Sequence, residues 1–245
     1  MFQSLSGKKV IIIGASSGID LAIATKTSQL GASVVVSGSS QEKLNQVKDL
    51  VDFAVEAIAV DILNEASVDA FFEKVGNFDH LVVTAVPDRN IPRSLIAEMT
   101  TQIAQSGMEK FWATFYIVRA AVKNIATDGS ITLTSSVTIS KPSKMGGISV
   151  IAAANAAVAV FGRTLALELS PIRVNAIAPG IVEDTSVLSY QSESERSDLS
   201  KWAEASLPVQ HLGQAEELAQ AVLSLMTNLY ITGVILPVDG GVTLV

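Results

Sequence analysis

The segment Val10–Asp20 reads VIIIGASSGID and joins a run of four β-branched residues to a turn that contains Gly14 and Gly18. A short β-branched run is typical of a strand buried in a parallel sheet. The glycines let backbone N–H groups approach a phosphate, and a helix that starts after the turn adds partial positive charge there. The segment therefore predicts a strand, a phosphate-binding turn and a helix in succession.

Strands and helices alternate along the rest of the chain. Further strand segments are Ala32–Val36, Ala57–Val60, Leu81–Val83, Ile131–Thr134 and Arg173–Ile177. Segments of helical length lie between them: Leu21–Leu30, Ser40–Val47, Glu65–Val75, Met108–Ile125 and Val150–Leu169. Such alternation implies right-handed βαβ crossovers. We therefore predict an α/β fold of the Rossmann type, a doubly wound parallel sheet with helices on both faces, in a single domain over residues 1–245.

Composition narrows the classes of partner. The net charge is −7 and there is no run of lysine or arginine, which argues against nucleic acid or anionic lipid. The apolar stretch Val150–Gly162 is shorter than the roughly 20 residues that cross a bilayer, so we interpret it as a buried helix. No signal-peptide pattern and no cysteine are present, and neither histidine has metal-ligand spacing. We expect a cytoplasmic protein with no membrane partner and no metal.

Residues 186–206 depart from this alternation. They contain the polar run Ser189–Asp198, with the sequence SYQSESERSD. A polar insertion between hydrophobic regions predicts a surface loop, and a mobile loop over a substrate is the second interpretation.

Seven short stretches, in this order and spacing, resemble the short-chain dehydrogenase/reductase family along almost the whole chain. They are Ile13–Ile19, Val60–Ile62, Phe78–Val82, Gly129–Ser136, Ile172–Gly180, Thr232–Gly233 and Val238–Gly241. The resemblance implies binding of a nicotinamide dinucleotide and hydride transfer.

The resemblance also assigns cofactor contacts. It implies that the pyrophosphate and ribose are contacted by Gly14, Ser16, Ser17, Gly18 and Ile19, and the adenine by Asp61 and Ile62. It implies likewise that the adenosine ribose is contacted by Thr84 and Ala85, and the carboxamide by Val182.

Other roles are open for three acidic or amide residues. A strand-end cap is the alternative role for Asp61, and Asn175 and Asp239 are interpreted as structural.

Asp20 stands where the family has its third glycine. One interpretation is an acid that points to solvent and stabilises the helix dipole by about 0.3–1 kcal/mol. The other is repulsion of the pyrophosphate, roughly 3 kcal/mol for two charges about 6 Å apart at an effective dielectric near 20. We expect weakened, not abolished, cofactor binding.

The end of the second strand reads Ser37-Gly-Ser-Ser40 and offers neither an acid for a 2′-hydroxyl nor an arginine for a 2′-phosphate. Ser39 and Ser40 can hydrogen-bond either group, and Lys43 is close enough in sequence to favour a phosphate. NADP(H) is therefore favoured over NAD(H), because nothing there repels it.

The reaction centre departs further from the family pattern, which uses a Tyr-x-x-x-Lys pair, a serine on strand five and an asparagine on the preceding helix. Alignment of the flanking sequence puts Ile151 at the tyrosine position, Asn155 at the lysine position and Lys110 at the asparagine position. Ser136 keeps the serine. Lysine and asparagine thus exchange places, and the resemblance implies that they face each other beneath the nicotinamide.

Two roles are open for Lys110. Phe111 and Trp112 adjoin it and predict a partly buried ammonium that supplies the proton, while Ser136 polarises a substrate carbonyl. The alternative is a surface lysine on an amphipathic helix. Tyr190, in the polar run, is a second candidate donor.

Two classes of function follow. The first is an NAD(P)(H)-dependent oxidoreductase acting on a small carbonyl or alcohol substrate; the alternative is a catalytically inactive dinucleotide-binding protein. The resemblance also implies a homodimer or homotetramer that pairs through the helices after strands four and five and the carboxyl-terminal strand. The alanine-rich surface Ala152–Ala159 suits such helix contacts.

Overall fold

The computed structural model of the chain describes residues 3–14, 18–42, 44–45, 55–87, 94–183 and 192–245. Within these residues, the strands form one seven-stranded parallel sheet in the order β3-β2-β1-β4-β5-β6-β7. The strands are β1 Lys9–Ile13, β2 Ser33–Gly38, β3 Val55–Ala59, β4 Phe78–Val83, β5 Ile125–Thr134, β6 Arg173–Pro179 and β7 Ile235–Val238.

Helices connect these strands. They are α1 Ile19–Gln29, α2 Glu65–Val75, α3 Thr101–Gly107, α4 Glu109–Ala121, α5 Ile148–Glu168, α6 Glu193–Ser206 and α7 Ala215–Thr227. Short 3₁₀ turns cover Val137–Ile139 and Val242–Leu244. Residues 41–42 and 44–45 are also helical, and the rest of the predicted helix Ser40–Val47 includes positions outside the described residues.

The core lies on both faces of the sheet. Successive side chains of a strand point to opposite faces, so Val10 and Ile12 of β1 pack with α1 and α7. Ile11 and Ile13 face the other way and pack with α2, α4 and α5. This arrangement confirms the predicted doubly wound sheet with helices on both faces.

The strand order reverses direction between β1 and β4. In open α/β sheets, ligands bind beyond the carboxyl ends of the strands at such a switch point. Gly14 follows β1 there with a φ of +130°, and a Cβ on it would overlap the Thr84 side chain and lie 2.6 Å from the Ala85 nitrogen. Only glycine therefore allows β1 and β4 to end this close together.

The predicted helix Met108–Ile125 is wrong at its end. The helix stops at Ala121, and Ile125 begins β5 because it pairs with Phe78 of β4. The Phe78 amide donates to the carbonyl of Asn124, which fixes the chain reversal. Apolar periodicity continues through this junction, so sheet pairing decided the boundary. Helices α3, α6 and α7 and strand β7 were not among the predicted elements.

The predicted loop over 186–206 is wrong for residues 193–206, which form α6. Ser192 and Glu195 make a reciprocal capping box at its start, and Ala203 is buried. A serine followed three residues later by glutamate is a helix-start signal that the polar composition concealed. Residues 186–191 of that interpretation, Tyr190 included, lie outside the described residues.

Helix α5 is long and apolar enough to span a membrane when only length and composition are considered. Its Ala154, Val158 and Leu165 side chains are buried, and the helix packs against β5 and β6. The prediction of a buried helix is thus confirmed for the face toward the sheet, whereas Val160 and Leu167 on the other face are exposed.

Candidate active site

Lys110 and Asn155 meet across the interface between α4 and α5. The Lys110 ammonium donates a hydrogen bond of 2.6 Å to the Asn155 side-chain oxygen. It also approaches the Ser135 carbonyl, at 3.4 Å. The two residues that the sequence predicts to have exchanged places therefore lie in direct contact.

Local packing holds Asn155 in place. Its side chain is 3% exposed, and its backbone carbonyl accepts a 2.9 Å hydrogen bond from the buried Ser135 hydroxyl at the end of β5. Gly162, two turns further along α5, brings the helix against Leu133, because a Cβ there would lie 3.2 Å from the leucine side chain. The end of β5 and the middle of α5 are thus joined.

Burial changes the acidity of Lys110. The residue is partly buried, and burial of its ammonium lowers the pKa of Lys110 to about 8. In the described part of the chain, no carboxylate lies within ion-pair distance of this ammonium to oppose the shift. The alternative interpretation, a surface lysine, is wrong. A lysine with this pKa can both donate and accept a proton near neutral pH.

Ser136 caps the 3₁₀ turn that follows β5. Its hydroxyl oxygen accepts a 3.3 Å hydrogen bond from the Thr138 amide. The Thr138 hydroxyl in turn accepts a 3.3 Å hydrogen bond from the Asn155 side-chain nitrogen. The structure therefore brings Ser136, Lys110 and Asn155 into one network. Sequence reasoning missed Thr138, because no motif distinguishes a threonine two residues after a serine.

The amino end of α1 fits a pyrophosphate. Gly18 precedes the helix with a φ of +60°, and as a glycine it has no side chain to cap the N–H groups of the first turn. Uncapped amides and the helix dipole favour a phosphate at this position. Ile19 is the first helical residue, whereas Ser16 and Ser17 lie outside the described residues. Gly14, Gly18 and the start of α1 therefore suit the dinucleotide that the fold implies.

Asp20 lies in the first turn of α1. Its Oδ1 atom is buried and has no hydrogen-bond partner among the described residues. Burial raises the pKa of Asp20 to about 7, and the polar Thr84 side chain opposes this rise to a smaller extent. The interpretation of Asp20 as an acid that points to solvent is wrong. The second interpretation, an acid close to the pyrophosphate, stays a prediction.

Thr84 and Ala85 line the switch point. The Thr84 hydroxyl donates to the Ile13 carbonyl at 3.1 Å, and the Ala85 amide donates to the same carbonyl at 2.9 Å. Both residues therefore lie beside the end of β1, next to the Gly14 turn.

The remaining predicted cofactor contacts lie at other strand ends. Ser39 is exposed after β2, and Ile62 packs against the core after β3. Val182 is buried after β6, where it pairs with Gly213. The Asp61 side chain accepts a 3.0 Å hydrogen bond from the Leu63 amide, so it does cap a strand end. Lys43 lies outside the described residues.

The two residues interpreted as structural have structural contacts. Asn175 donates to the Ile231 carbonyl at 3.0 Å and accepts from the Val234 amide at 3.1 Å, which ties β6 to the approach to β7. Asp239 accepts hydrogen bonds from Gly241 and Thr243, and these hold the pKa of its carboxyl below the ordinary value despite opposing burial.

Known proteins resemble this chain over nearly its full length. A family model described as enoyl-(acyl carrier protein) reductase matches residues 14–243. Short-chain dehydrogenase/reductase ATR9 of Stachybotrys chlorohalonatus is 31% identical, with 97% of this chain and 98% of that protein covered. The 3-oxoacyl-(acyl-carrier-protein) reductase FabG of Escherichia coli K12 is 30% identical, with 99% and 100% covered.

Solved structures resemble it as well. An NADPH-bound structure of a short chain oxidoreductase from Pseudomonas aeruginosa PAO1, described as containing an atypical catalytic center, superimposes with a TM-score of 0.86. Its sequence is 27% identical to this chain, and 98% of each chain is covered.

Proposed function

The chain belongs to the short-chain dehydrogenase/reductase family, and from this premise we propose that it is an NADP(H)-dependent oxidoreductase with a rearranged acid/base centre. The substrate is a small carbonyl compound or the corresponding alcohol. The observation that carries the proposal is the 2.6 Å contact between the Lys110 ammonium and the Asn155 side chain.

The cofactor is NADP(H). When bound, its nicotinamide supplies or accepts the hydride. Gly14, Gly18 and Ile19, around the start of α1, would hold the pyrophosphate, and Thr84 and Ala85 would contact the ribose. Ser39 follows β2, and residues 37–40 at this strand end include no acid that would repel a 2′-phosphate. The NADPH-bound relative from Pseudomonas aeruginosa supports the same choice.

Ser136 and Lys110 act on the substrate oxygen. The Ser136 hydroxyl uses its oxygen as an acceptor toward Thr138, so its own proton is left to donate to a substrate carbonyl. Lys110 has three N–H groups and directs two of them to Asn155 and Ser135. The third delivers a proton to the developing alkoxide during reduction, or the neutral amine removes the proton from an alcohol during oxidation. Asn155 orients the ammonium.

Substitution of Lys110 tests the proposal. In a panel of aldehydes and ketones with NADPH, Lys110→Met is expected to lower kcat by about 10²–10⁴-fold, the usual cost of losing a positioned acid. Cofactor affinity should stay nearly unchanged. Lys123→Met is the matched control, because Lys123 is exposed just beyond the same helix. Ser136→Ala is expected to lower kcat in the same way.

The competing donor is Tyr190. If Tyr190→Phe abolishes turnover while Lys110→Met retains it, the proton comes from the polar segment and the proposal is wrong.

The second class of function, a dinucleotide-binding protein without catalysis, is favoured by Ile151, which offers no proton at the tyrosine position. Tight NADPH binding with no turnover across the panel would support that class.

A further inference from the structure

Thr138 joins the two halves of the reaction centre. Its backbone amide donates to the Ser136 hydroxyl oxygen, and its hydroxyl oxygen accepts from the Asn155 side-chain nitrogen, each at 3.3 Å. Asn155 connects onward to the Lys110 ammonium. One residue on a short turn therefore contacts both the serine and the lysine–asparagine pair.

The orientation of the Asn155 amide depends on this contact. An ammonium is only a donor, so Asn155 must present its oxygen to Lys110. The amide nitrogen then points to the other side and needs an acceptor, because a buried N–H group without one is destabilising. Among the described residues, the Thr138 hydroxyl is the acceptor that it meets.

We propose that Thr138 is a positioning residue that fixes the Asn155 amide and thereby holds the Lys110 ammonium for proton transfer. The inference rests on the proposed function, since it concerns the same reaction centre. The Thr138 hydroxyl oxygen accepts from the amide nitrogen, and this hydrogen bond opposes rotation of the amide N–H groups toward the cation.

Without the hydroxyl, only the Lys110 ammonium holds the Asn155 amide, because the contact on the amide nitrogen is lost. The amide can then shift, the hydrogen bond that favours the charged form of Lys110 weakens, and the pKa of Lys110 falls below its already lowered value. A merely structural role for Thr138 would change stability and leave this titration unaltered.

The test measures the Lys110 titration by NMR on protein with ¹³C-labelled lysine, without cofactor or substrate. Thr138→Val is expected to lower the titration midpoint by roughly half a unit or more, whereas Thr138→Ser retains the hydroxyl and the wild-type midpoint. Thr164→Val, on the exposed side of α5, is the matched control and should change nothing. If Thr138→Val does not fold, Thr138→Ala replaces it. An unchanged midpoint in folded Thr138→Val or Thr138→Ala overturns the proposal.

Kinetics give an independent readout. Thr138→Val is expected to lower kcat about tenfold or more, with little change in the dissociation constant of NADPH and recovery in Thr138→Ser. A fall in NADPH affinity with kcat unchanged would contradict a positioning role. If the wild-type enzyme turns over no substrate, the proposed function fails while the NMR titration still decides the role of Thr138.

Discussion

The Lys110 ammonium nitrogen lies 2.6 Å from the Asn155 side-chain oxygen, although 45 positions separate the two residues in the chain. One residue is on α4 and the other on α5, and the alignment proposed from the sequence gives each the residue type that the family pattern has at the other position. A lysine donor and an amide acceptor form the same hydrogen bond from either side of a helix interface. Such an exchange would keep this contact and place the positive charge on α4.

The pH dependence of turnover should report Lys110. Reduction needs the ammonium, so its rate should fall as pH rises through about 8, the value to which burial lowers the pKa of Lys110. Oxidation needs the neutral amine, so its rate should rise through the same range. Profiles of kcat in both directions measure this, and Lys110→Met should remove the dependence. If Lys110→Met kept the pH dependence of kcat in both directions, the assignment of proton transfer to Lys110 would be wrong.

Asp20 should make cofactor binding depend on pH. Burial raises the pKa of Asp20 to about 7, so the carboxyl is neutral below that pH and anionic above it, and affinity for NADPH should fall as pH rises through 7. Among the described residues, the Thr84 side chain opposes this rise and no charged group adds to it. Titration calorimetry at pH 6 and 8.5 measures the change.

Replacement of Asp20 isolates the charge. Asp20→Asn or Asp20→Gly should tighten NADPH binding at pH 8.5 by up to about a hundredfold, and the gain should shrink with added salt. Asp128→Asn, at an exposed position near the opposite end of the sheet, is the control. Equal dissociation constants for wild type and both Asp20 variants would show that the carboxyl does not oppose the pyrophosphate.

Ser39 should set the choice between cofactors. NADPH is expected to bind at least as tightly as NADH, because the described end of β2 carries no acid. An introduced carboxylate repels a 2′-phosphate, so Ser39→Asp should weaken NADPH by at least about tenfold and spare NADH. Ser33→Asp, exposed at the other end of β2, serves as the comparison. A wild-type preference for NADH would contradict the cofactor assignment.

Arg173 should contribute strongly to stability. Its buried guanidinium donates to the Leu225, Met226, Asn228 and Ile231 carbonyls at 2.6–3.3 Å, where α7 ends. Arg173→Met leaves these carbonyls without their donor, so the free energy of unfolding should fall by about 3–5 kcal/mol in urea titrations. Arg163→Met, exposed on α5, should cost little. A small effect at Arg173 would mean that water replaces the guanidinium.

Exposed apolar side chains on α4 and α5 should form a subunit interface. Trp112, Val160 and Leu167 are 48%, 60% and 84% exposed, whereas Ala154 and Ala159 of the predicted alanine surface are buried within the chain. Large apolar groups left in water favour association. Leu167→Glu or Val160→Glu should shift the protein toward monomer in analytical ultracentrifugation. A monomeric wild type would refute this interface.

Most of the architecture was readable from local patterns. The β-branched run Val10–Ile13 and the segment Glu65–Val75 became β1 and α2 almost as predicted, because buried strands and capped amphipathic helices have characteristic residue spacing. The flanking sequence also predicts that Lys110 and Asn155 face each other, and the structure places them in contact; their exchange relative to the family pattern stays a prediction. Boundaries such as Ile125 were not, because pairing with Phe78 overrode the local preference.

The sequence by itself determined which residues could carry charge and hydrogen bonds at the candidate site: a lysine, an asparagine, a serine and an acid at position 20. Only the tertiary structure decided what those groups do. The buried carboxyl of Asp20, the lowered pKa of Lys110 and the contact of Thr138 with Asn155 all depend on neighbours from other elements. Packing brings together groups from distant parts of the chain, and their desolvation and hydrogen-bond geometry depend on that packing. Local residue spacing does not predict these contacts.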